Sequence, residues 1–400
     1  MSTAGRLLLL QLVFRGSCCD LLLASNGPRT VTKQESSASA RLFNIFHIVT
    51  FPNNPCQGDG WGKHGTCKTA SECVGLGGNA VGTCASGFGV CCTSYQGCGG
   101  TFNLNNSYWR DSRTHLGDGG GTDASPCTFT ICKASSDICQ IRLDFEAFSL
   151  QAPNTVDSGT GEGVGTGESR TQCQNAQFQA TSASGPAPVI CGSNTGQHLY
   201  LEVQQSCNTL TMSWLPGKPI PTWSIKMTQH SCTDWWRAPP DCLQYMTAST
   251  GFIQSFNYDG GVHLANQNYQ ICMRTGRGMC KISYVATSTS FQMSGPSTTL
   301  ASLVQSNSCT EDYITIPGGT NPALPTGPTA PLTYIYRYCG GILSYTSAAT
   351  ATATISTTFV PFRIGVYTDG GETDSYTAPT TTYTTENSLG FNLYYSQTSC

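Results

Sequence analysis

Cys139-Gln140-Ile141-Arg142-Leu143-Asp144-Phe145 alternates apolar and polar side chains without a break. A period of two sends Ile141, Leu143 and Phe145 to one side and Gln140, Arg142 and Asp144 to the other, the pattern of a half-buried strand. The alternation recurs downstream. Leu199, Leu201 and Val203 alternate with Tyr200, Glu202 and Gln204, and the sets Leu210, Met212, Trp214 and Trp223, Ile225, Met227 follow. Gly, Pro and Asn separate these runs, and the sequence shows no long amphipathic helix. Short strands at this spacing predict an all-β fold of antiparallel β-sandwiches rather than α/β units.

Cysteine usage divides the chain further. Of its 22 cysteines, Cys18 and Cys19 lie in an N-terminal apolar stretch. The others form a block of six (Cys56, Cys67, Cys73, Cys84, Cys91, Cys92), a block of eight (Cys98, Cys127, Cys132, Cys139, Cys173, Cys191, Cys207, Cys232) and a second block of six (Cys242, Cys272, Cys280, Cys309, Cys339, Cys400). Even counts are what separate disulfide modules require. The adjacent Cys91 and Cys92 and the irregular gaps lack the repeated C-x2-C pairs of structural zinc sites. Disulfides place the chain outside the reducing cytosol.

Composition excludes other classes. Charged residues make up 11% of the chain, against roughly 25% in an average soluble domain. The net charge is -3. Nucleic acid and anionic lipid need clustered Lys and Arg, so neither is expected as a partner. Residues 1–25 read as an export signal, with Arg6 ahead of the apolar run Leu7 to Phe14 and small residues at Gly16, Ser17 and Ala24. Arg15 and Asp20 interrupt it, which leaves the cleavage point open between Ser17 and Asn26. No later segment reaches the length of a membrane span. Residues 26–55 form an N-terminal linker.

Residues 56–92 are too few to bury a core and must be stapled. Spacing alone leaves many connectivities open for six cysteines. The third block repeats the plan of the second: Cys132 and Cys139 mirror Cys272 and Cys280, and Cys191-Gly192 mirrors Cys339-Gly340. Cys173 and Cys309 each precede such a mirrored cysteine. Two related sandwiches are expected, residues 98–232 and 242–400, joined by a linker at 233–241 that contains Pro239 and Pro240.

These residues support a resemblance. The run from Gly65 to Cys92 resembles the clip-type module of arthropod secreted proteins, which implies Cys56 with Cys91, Cys67 with Cys84 and Cys73 with Cys92. Cys98-Gly99-Gly100-Thr101, Cys127-Thr128-Phe129-Thr130-Ile131 and Cys191-Gly192 resemble a CUB domain, an extracellular jelly-roll sandwich that binds proteins or glycans. The second copy resembles CUB through Cys309-Thr310-Glu311-Asp312-Tyr313-Ile314, Tyr338-Cys339-Gly340-Gly341 and the ending Gly390 to Tyr395. Together they are similar to insect proteins that join a small cysteine module to tandem CUB domains. The resemblance implies Cys98 with Cys127, Cys173 with Cys191 and Cys309 with Cys339. For the rest, the expected pairs are Cys132 with Cys139, Cys272 with Cys280, Cys207 with Cys232 and Cys242 with Cys400.

Many CUB domains hold a calcium ion with a Glu and two Asp, hard oxygen ligands for a hard cation. In the first copy Gln151 and Ala176 replace two of these acids, and no Asp stands near Lys218 to Thr222. The second copy keeps Asp312 and Asp369, while its Glu position falls near Ser294. Turn residues bonding local N–H groups are the stronger reading of this pair, so no cofactor is expected.

Catalysis finds no constellation. Clip and CUB modules both occur beside trypsin-like proteases, yet the histidines His47, His64, His115, His198, His230 and His263 have no matching nucleophile motif. His198 reads as a strand residue. Gly159 to Gly167 lacks the Lys-Ser or Lys-Thr of a phosphate loop, and H-E-x-x-H is absent.

Trp109, Trp235 and Trp236, with Arg110 and Arg237 beside them, are the residue types that anchor interfaces. Packing of the two sandwiches against each other is the stronger expectation for Trp235 and Trp236. Asn105-Asn106-Ser107 is the single glycosylation acceptor pattern. The expected function is that of a secreted, non-catalytic protein recognising an extracellular protein or glycan. The alternatives are a regulator or inhibitor of an extracellular serine protease cascade and a matrix or cuticle component.

Overall fold

The computed structural model describes residues 29–31, 48–51, 54–58, 64–111, 125–153, 171–203, 207–293, 309–320, 335–344, 354–370, 376–378, 381–383 and 389–400. The export-signal segment, the glycine run from Gly159 to Gly167 and Ser294 lie outside them. Two short ribbons, Arg29–Val31 with Ile48–Thr50 and Tyr376–Ala378 with Thr381–Tyr383, stand apart from the main sheets.

The first cysteine block forms β1 (Pro55–Gln57), β2 (His64–Lys68), α1 (Ala70–Gly75), β3 (Asn79–Cys84) and β4 (Gly89–Gln96). Thr69 starts the helix. Its hydroxyl accepts the Glu72 N–H at 3.2 Å while the Glu72 carboxylate accepts the Thr69 N–H at 2.9 Å, a reciprocal cap that satisfies two otherwise orphan donors. Cys91 and Cys92 are neighbours on β4, so their side chains leave opposite faces of the strand. One reaches Cys56 on β1 and the other Cys73 on α1, and Cys67–Cys84 closes the third bridge.

This block is not a separate bead. Strand β4 continues past Cys92, and Ser94, Tyr95 and Gln96 pair in parallel with Ser107, Tyr108 and Trp109 of β6 (Ser107–Arg110). The first sandwich adds β5 (Thr101–Phe102), β7 (Cys127–Cys132), β8 (Ile138–Ser149), β9 (Ala176–Ala180), β10 (His198–Glu202), β11 (Cys207–Trp214) and β12 (Thr222–Ser231). One sheet runs β10-β8-β12-β6-β4-β2-β1, with β3 against β4; the facing sheet runs β9-β11-β7-β5. Between them lie Trp109, Phe129, Phe145, Phe148, Phe178 and Trp223, all buried. Ile141, Leu143 and Phe145 face this core as the alternation predicts.

The second sandwich comprises β13 (Cys242–Met246), β14 (Thr250–Gln254), β15 (Asn268–Met273), β16 (Met279–Gln292), β17 (Tyr313–Gly319), β18 (Ile335–Tyr338), β19 (Ile355–Thr357), β20 (Arg363–Tyr367) and β21 (Gly390–Ser399). Its sheets run β13-β15-β20-β17-β18 and β14-β21-β16-β19. Ile282, Tyr284, Ile364, Phe391 and Leu393 fill the space between them. The all-β sandwich class read from the alternation is therefore the class observed.

Ten disulfides join the twenty described cysteines, and none crosses from one block to another. Cys98–Cys127, Cys173–Cys191 and Cys309–Cys339 are present. Four other expected pairs are corrected. Cys132 bonds Cys207 and Cys139 bonds Cys232; Cys242 bonds Cys272 and Cys280 bonds Cys400. The reason is topological. Cys132 ends β7 and Cys139 opens β8, strands of opposite sheets, so each pairs within its own sheet region, Cys132 directly opposite Cys207 in the β7–β11 register. Cys272 on β15 and Cys280 on β16 are divided between opposite sheets in the same way.

Candidate recognition surface at the junction of the two sandwiches

The sheet face that alternation assigns to solvent is partly covered. Gln140, His198 and Tyr200 belong to the outward set of β8 and β10, yet all three are buried. Tyr200 packs with Ala238, Cys242, Tyr245 and Cys272 in a small cluster between the sandwiches. Gln140 clamps the connecting segment: its Oε1 accepts the Ala238 N–H at 2.9 Å and its Nε2 donates to the Ala238 carbonyl at 3.1 Å. The linker at 233–241 is thus held to the first sandwich at Ala238.

Further polar contacts tie the junction at separate points. The Asn257 N–H donates to Asn194 Oδ1 at 2.7 Å, and Asn257 Oδ1 accepts the Ser193 N–H at 2.9 Å. Gln197 Nε2 donates to the Ser255 carbonyl, and Gln267 Nε2 to the Val189 carbonyl. Asn257, hydrogen-bonded both through its backbone N–H and through its side-chain oxygen across the contact, fixes the relative position of the two segments it joins. His198 joins this set through Nε2, which faces the backbone of Tyr245. Burial first, and the Arg142 guanidinium second, push its pKa down to about 4, so the ring is neutral.

At the edge of this junction stands an exposed aromatic pair. Trp235 is 65% exposed and Trp236 48%, and their ring centroids lie 3.7 Å apart. The expectation that they pack the sandwiches together is overturned; Ala238, Tyr200 and Tyr245 do that instead. The turn that carries them is rigid. Asp234 Oδ2 accepts the Ser231 N–H, the Arg237 N–H donates to the Asp234 carbonyl, and Arg237 Nη1 donates to the Cys232 carbonyl. The Cys139–Cys232 bridge anchors its base. From the second sandwich, the Arg274 guanidinium lies over the Trp235 ring, 5.4 Å from its centroid. The aromatic pair and its cation thus come from both sides of the junction. Nothing in the local sequence around Arg274 marks it, because only the docking of the two sandwiches brings it to Trp235.

Trp109 is no surface anchor. It is fully buried on β6, stacked on Phe129 with centroids 5.7 Å apart and set against Trp223 at 5.4 Å. Arg110 beside it lies 4.0 Å over the Tyr95 ring and 3.8 Å from Glu146. Asn105 is likewise built into the fold. Its Oδ1 accepts the Gln229 N–H at 2.8 Å and its Nδ2 donates to the Gln229 carbonyl at 3.2 Å, tying the approach to β6 to β12. Ser107, the third residue of the acceptor pattern, is buried.

Asp312 and Asp369 do come together. Asp312 is buried, and its Oδ1 accepts the Asp369 N–H at 3.0 Å. The contact joins residues 57 positions apart and is therefore not the local turn bond expected of each Asp. Among the described residues no three His, Cys, Asp or Glu side chains gather as a metal-ligand set; the position near Ser294 lies outside them. Among the described residues no helix is long and apolar enough to cross a membrane.

The family model of the animal CUB domain matches residues 239–398. The second sandwich, with the proline pair that leads into it, is thus a CUB domain. No curated protein matches the chain. Among solved structures, the chain is similar to the CUB1-EGF-CUB2 domains of rat MASP-1, with 12% identity, a TM-score of 0.22 and coverage of 74% of this chain and 99% of that one. The corresponding human MASP-1/3 region shows 13% identity, a TM-score of 0.22 and coverage of 69% and 94%. The extracellular region of zebrafish Gpr126/Adgrg6 shows 12% identity and a TM-score of 0.24, covering 76% of this chain and 34% of that one.

Proposed function

We propose that this chain is a secreted, non-catalytic recognition protein that binds an extracellular protein through the junction of its two sandwiches. The observation that carries this reading is the Trp235–Trp236 pair, two large apolar rings held in solvent by a hydrogen-bonded, disulfide-anchored turn. Exposed Trp has a hydration cost that folding does not recover, and a preorganised Trp beside Arg is the composition of an interface hot spot. The CUB domain and ten disulfides fit an extracellular setting.

The first sandwich reads as a second, diverged CUB domain. Its bridges Cys98–Cys127, Cys139–Cys232 and Cys173–Cys191 follow the same order as Cys242–Cys272, Cys280–Cys400 and Cys309–Cys339 in the second. Cys132–Cys207 is its addition. The first cysteine block reads as a clip-like knot that stiffens the sheet edge it joins.

The experiment is capture from extracellular fluid with the full chain and with a Trp235→Ala/Trp236→Ala variant. A stoichiometric protein retained by the native chain and lost by the variant supports the reading. Equal capture by both removes the junction as the binding surface.

A further inference from the structure

We infer that the Trp235–Trp236 platform takes a protein segment in which a carboxylate side chain accompanies a bulky apolar one; this rests on the reading of the junction as the binding surface. One guanidinium lies over the rings and a second belongs to the same turn. Arg274, just past Met273 at the end of β15, stands over Trp235, and Arg237 follows Trp236 in sequence. Neither has a carboxylate partner among the described residues, whereas Arg110 and Arg142 stand against Glu146 and Asp144.

The acid nearest in sequence is already engaged. Asp234 Oδ2 accepts the Ser231 N–H at 2.8 Å and faces His230 Nδ1 at 3.8 Å. Arg237 Nη1 is used by the Cys232 carbonyl, and its Nε is buried with no hydrogen-bond partner. Arg274 thus keeps its guanidinium over Trp235 without an ion pair among the described residues. A guanidinium beside an indole offers a ring face for an apolar side chain and a fork of donors for a carboxylate.

Arg274 lies over the Trp235 ring, 5.4 Å from its centroid, so a segment that sets an apolar side chain against the exposed indoles brings a neighbouring carboxylate to the guanidinium. Trp235 and Trp236 are both exposed, so replacing them leaves the cores intact.

The test uses the full chain and immobilised, acetylated hexapeptides that pair Leu or Phe with Asp or Glu, matched to peptides carrying Asn or Gln in place of the acid. Acidic peptides should bind, their amide counterparts should bind about tenfold more weakly, and Arg274→Glu should abolish the difference. Rising ionic strength should weaken the acidic peptides selectively. Equal binding of acid and amide peptides overturns the inference, as does an Arg274→Glu variant that binds like the native chain. Trp-dependent binding of a hyaluronan tetrasaccharide with none to the peptides overturns it too, by assigning the platform to an anionic glycan. In capture from extracellular fluid, partner loss in the double Trp variant with full retention by Arg274→Glu defeats the charge inference alone. Retention by the double Trp variant defeats the junction reading beneath it.

Discussion

His198 Nε2 lies 3.1 Å from the backbone nitrogen of Tyr245 and 3.2 Å from its carbonyl oxygen, so one ring atom of the first sandwich meets the main chain of the second. The neutral ring can accept the Tyr245 N–H at this atom, with its own proton on Nδ1. A protonated ring cannot.

Stability should depend on pH through this contact. The His198 pKa is lowered from the ordinary 6.5 to about 4 by burial and then by Arg142, with Asp144 and the Tyr245 backbone opposing. The folded state therefore binds fewer protons than the unfolded state between these values, and stability falls as pH falls. The contribution is full above about pH 6.5 and fades toward pH 4, with a total of about 3 kcal/mol. Urea midpoints of the native chain and of His198→Gln across this range would show it. A native-minus-variant difference that stays flat from pH 7 to pH 4 would contradict the assignment.

Gly192 should tolerate no side chain. Its φ is +72°, and a Cβ would lie 1.9 Å from Asn257 Oδ1, the atom that accepts the Ser193 N–H. Gly192→Ala should cost about 2 kcal/mol or more through backbone strain and loss of the amide contact. Limited proteolysis between the sandwiches should accelerate in step with the drop in thermal midpoint.

Asn105→Ala should destabilise the first sandwich by about 1–3 kcal/mol, because it leaves the N–H and carbonyl of Gln229 without their side-chain partners. The same clamp occupies the amide nitrogen to which a glycan would attach. Peptide mapping of the chain expressed in animal cells is expected to find Asn105 unmodified, and an intact glycan there with unchanged stability would refute this.

Removal of the first cysteine block should damage the sandwich behind it. Without β4, strand β6 loses its parallel neighbour at Ser94, Tyr95 and Gln96 and becomes a sheet edge. Tyr108, whose hydroxyl accepts the His64 N–H at 3.0 Å, loses part of its cover. An edge with unpaired backbone groups is prone to association. A chain starting at residue 98 should aggregate or melt lower than the full chain, whereas equal stability and a monomeric profile on gel filtration would show that the block is dispensable.

The strands and their inner faces were legible because alternation reports burial inside one sandwich. Ile141, Leu143 and Phe145 are where the pattern places them. The same pattern assigns Gln140, His198 and Tyr200 to solvent, and fails there because a second sandwich covers that face. Period-two reading cannot distinguish water from a polar interface, since both accept Gln, His and Tyr. The cysteine errors have a related origin. Cys132 was expected with Cys139, but a short turn that crosses between sheets sends these near neighbours to opposite sheets. Of the recognition surface, Trp235, Trp236 and Arg237 were visible as residue types. Their exposure, and the arrival of Arg274, follow only from how the two sandwiches dock.

The confinement of each of the ten described bridges to its own block also sets an order for maturation. Cys56 to Cys92 can complete their pairing once residue 92 has emerged, before the first sandwich is synthesised. The second block closes with Cys232, and the last bridge, Cys280 to Cys400, waits for the final strand. Oxidation of these blocks can thus proceed in chain order as each one emerges. Among the twenty described cysteines, none has to be held reduced for a partner in a later block.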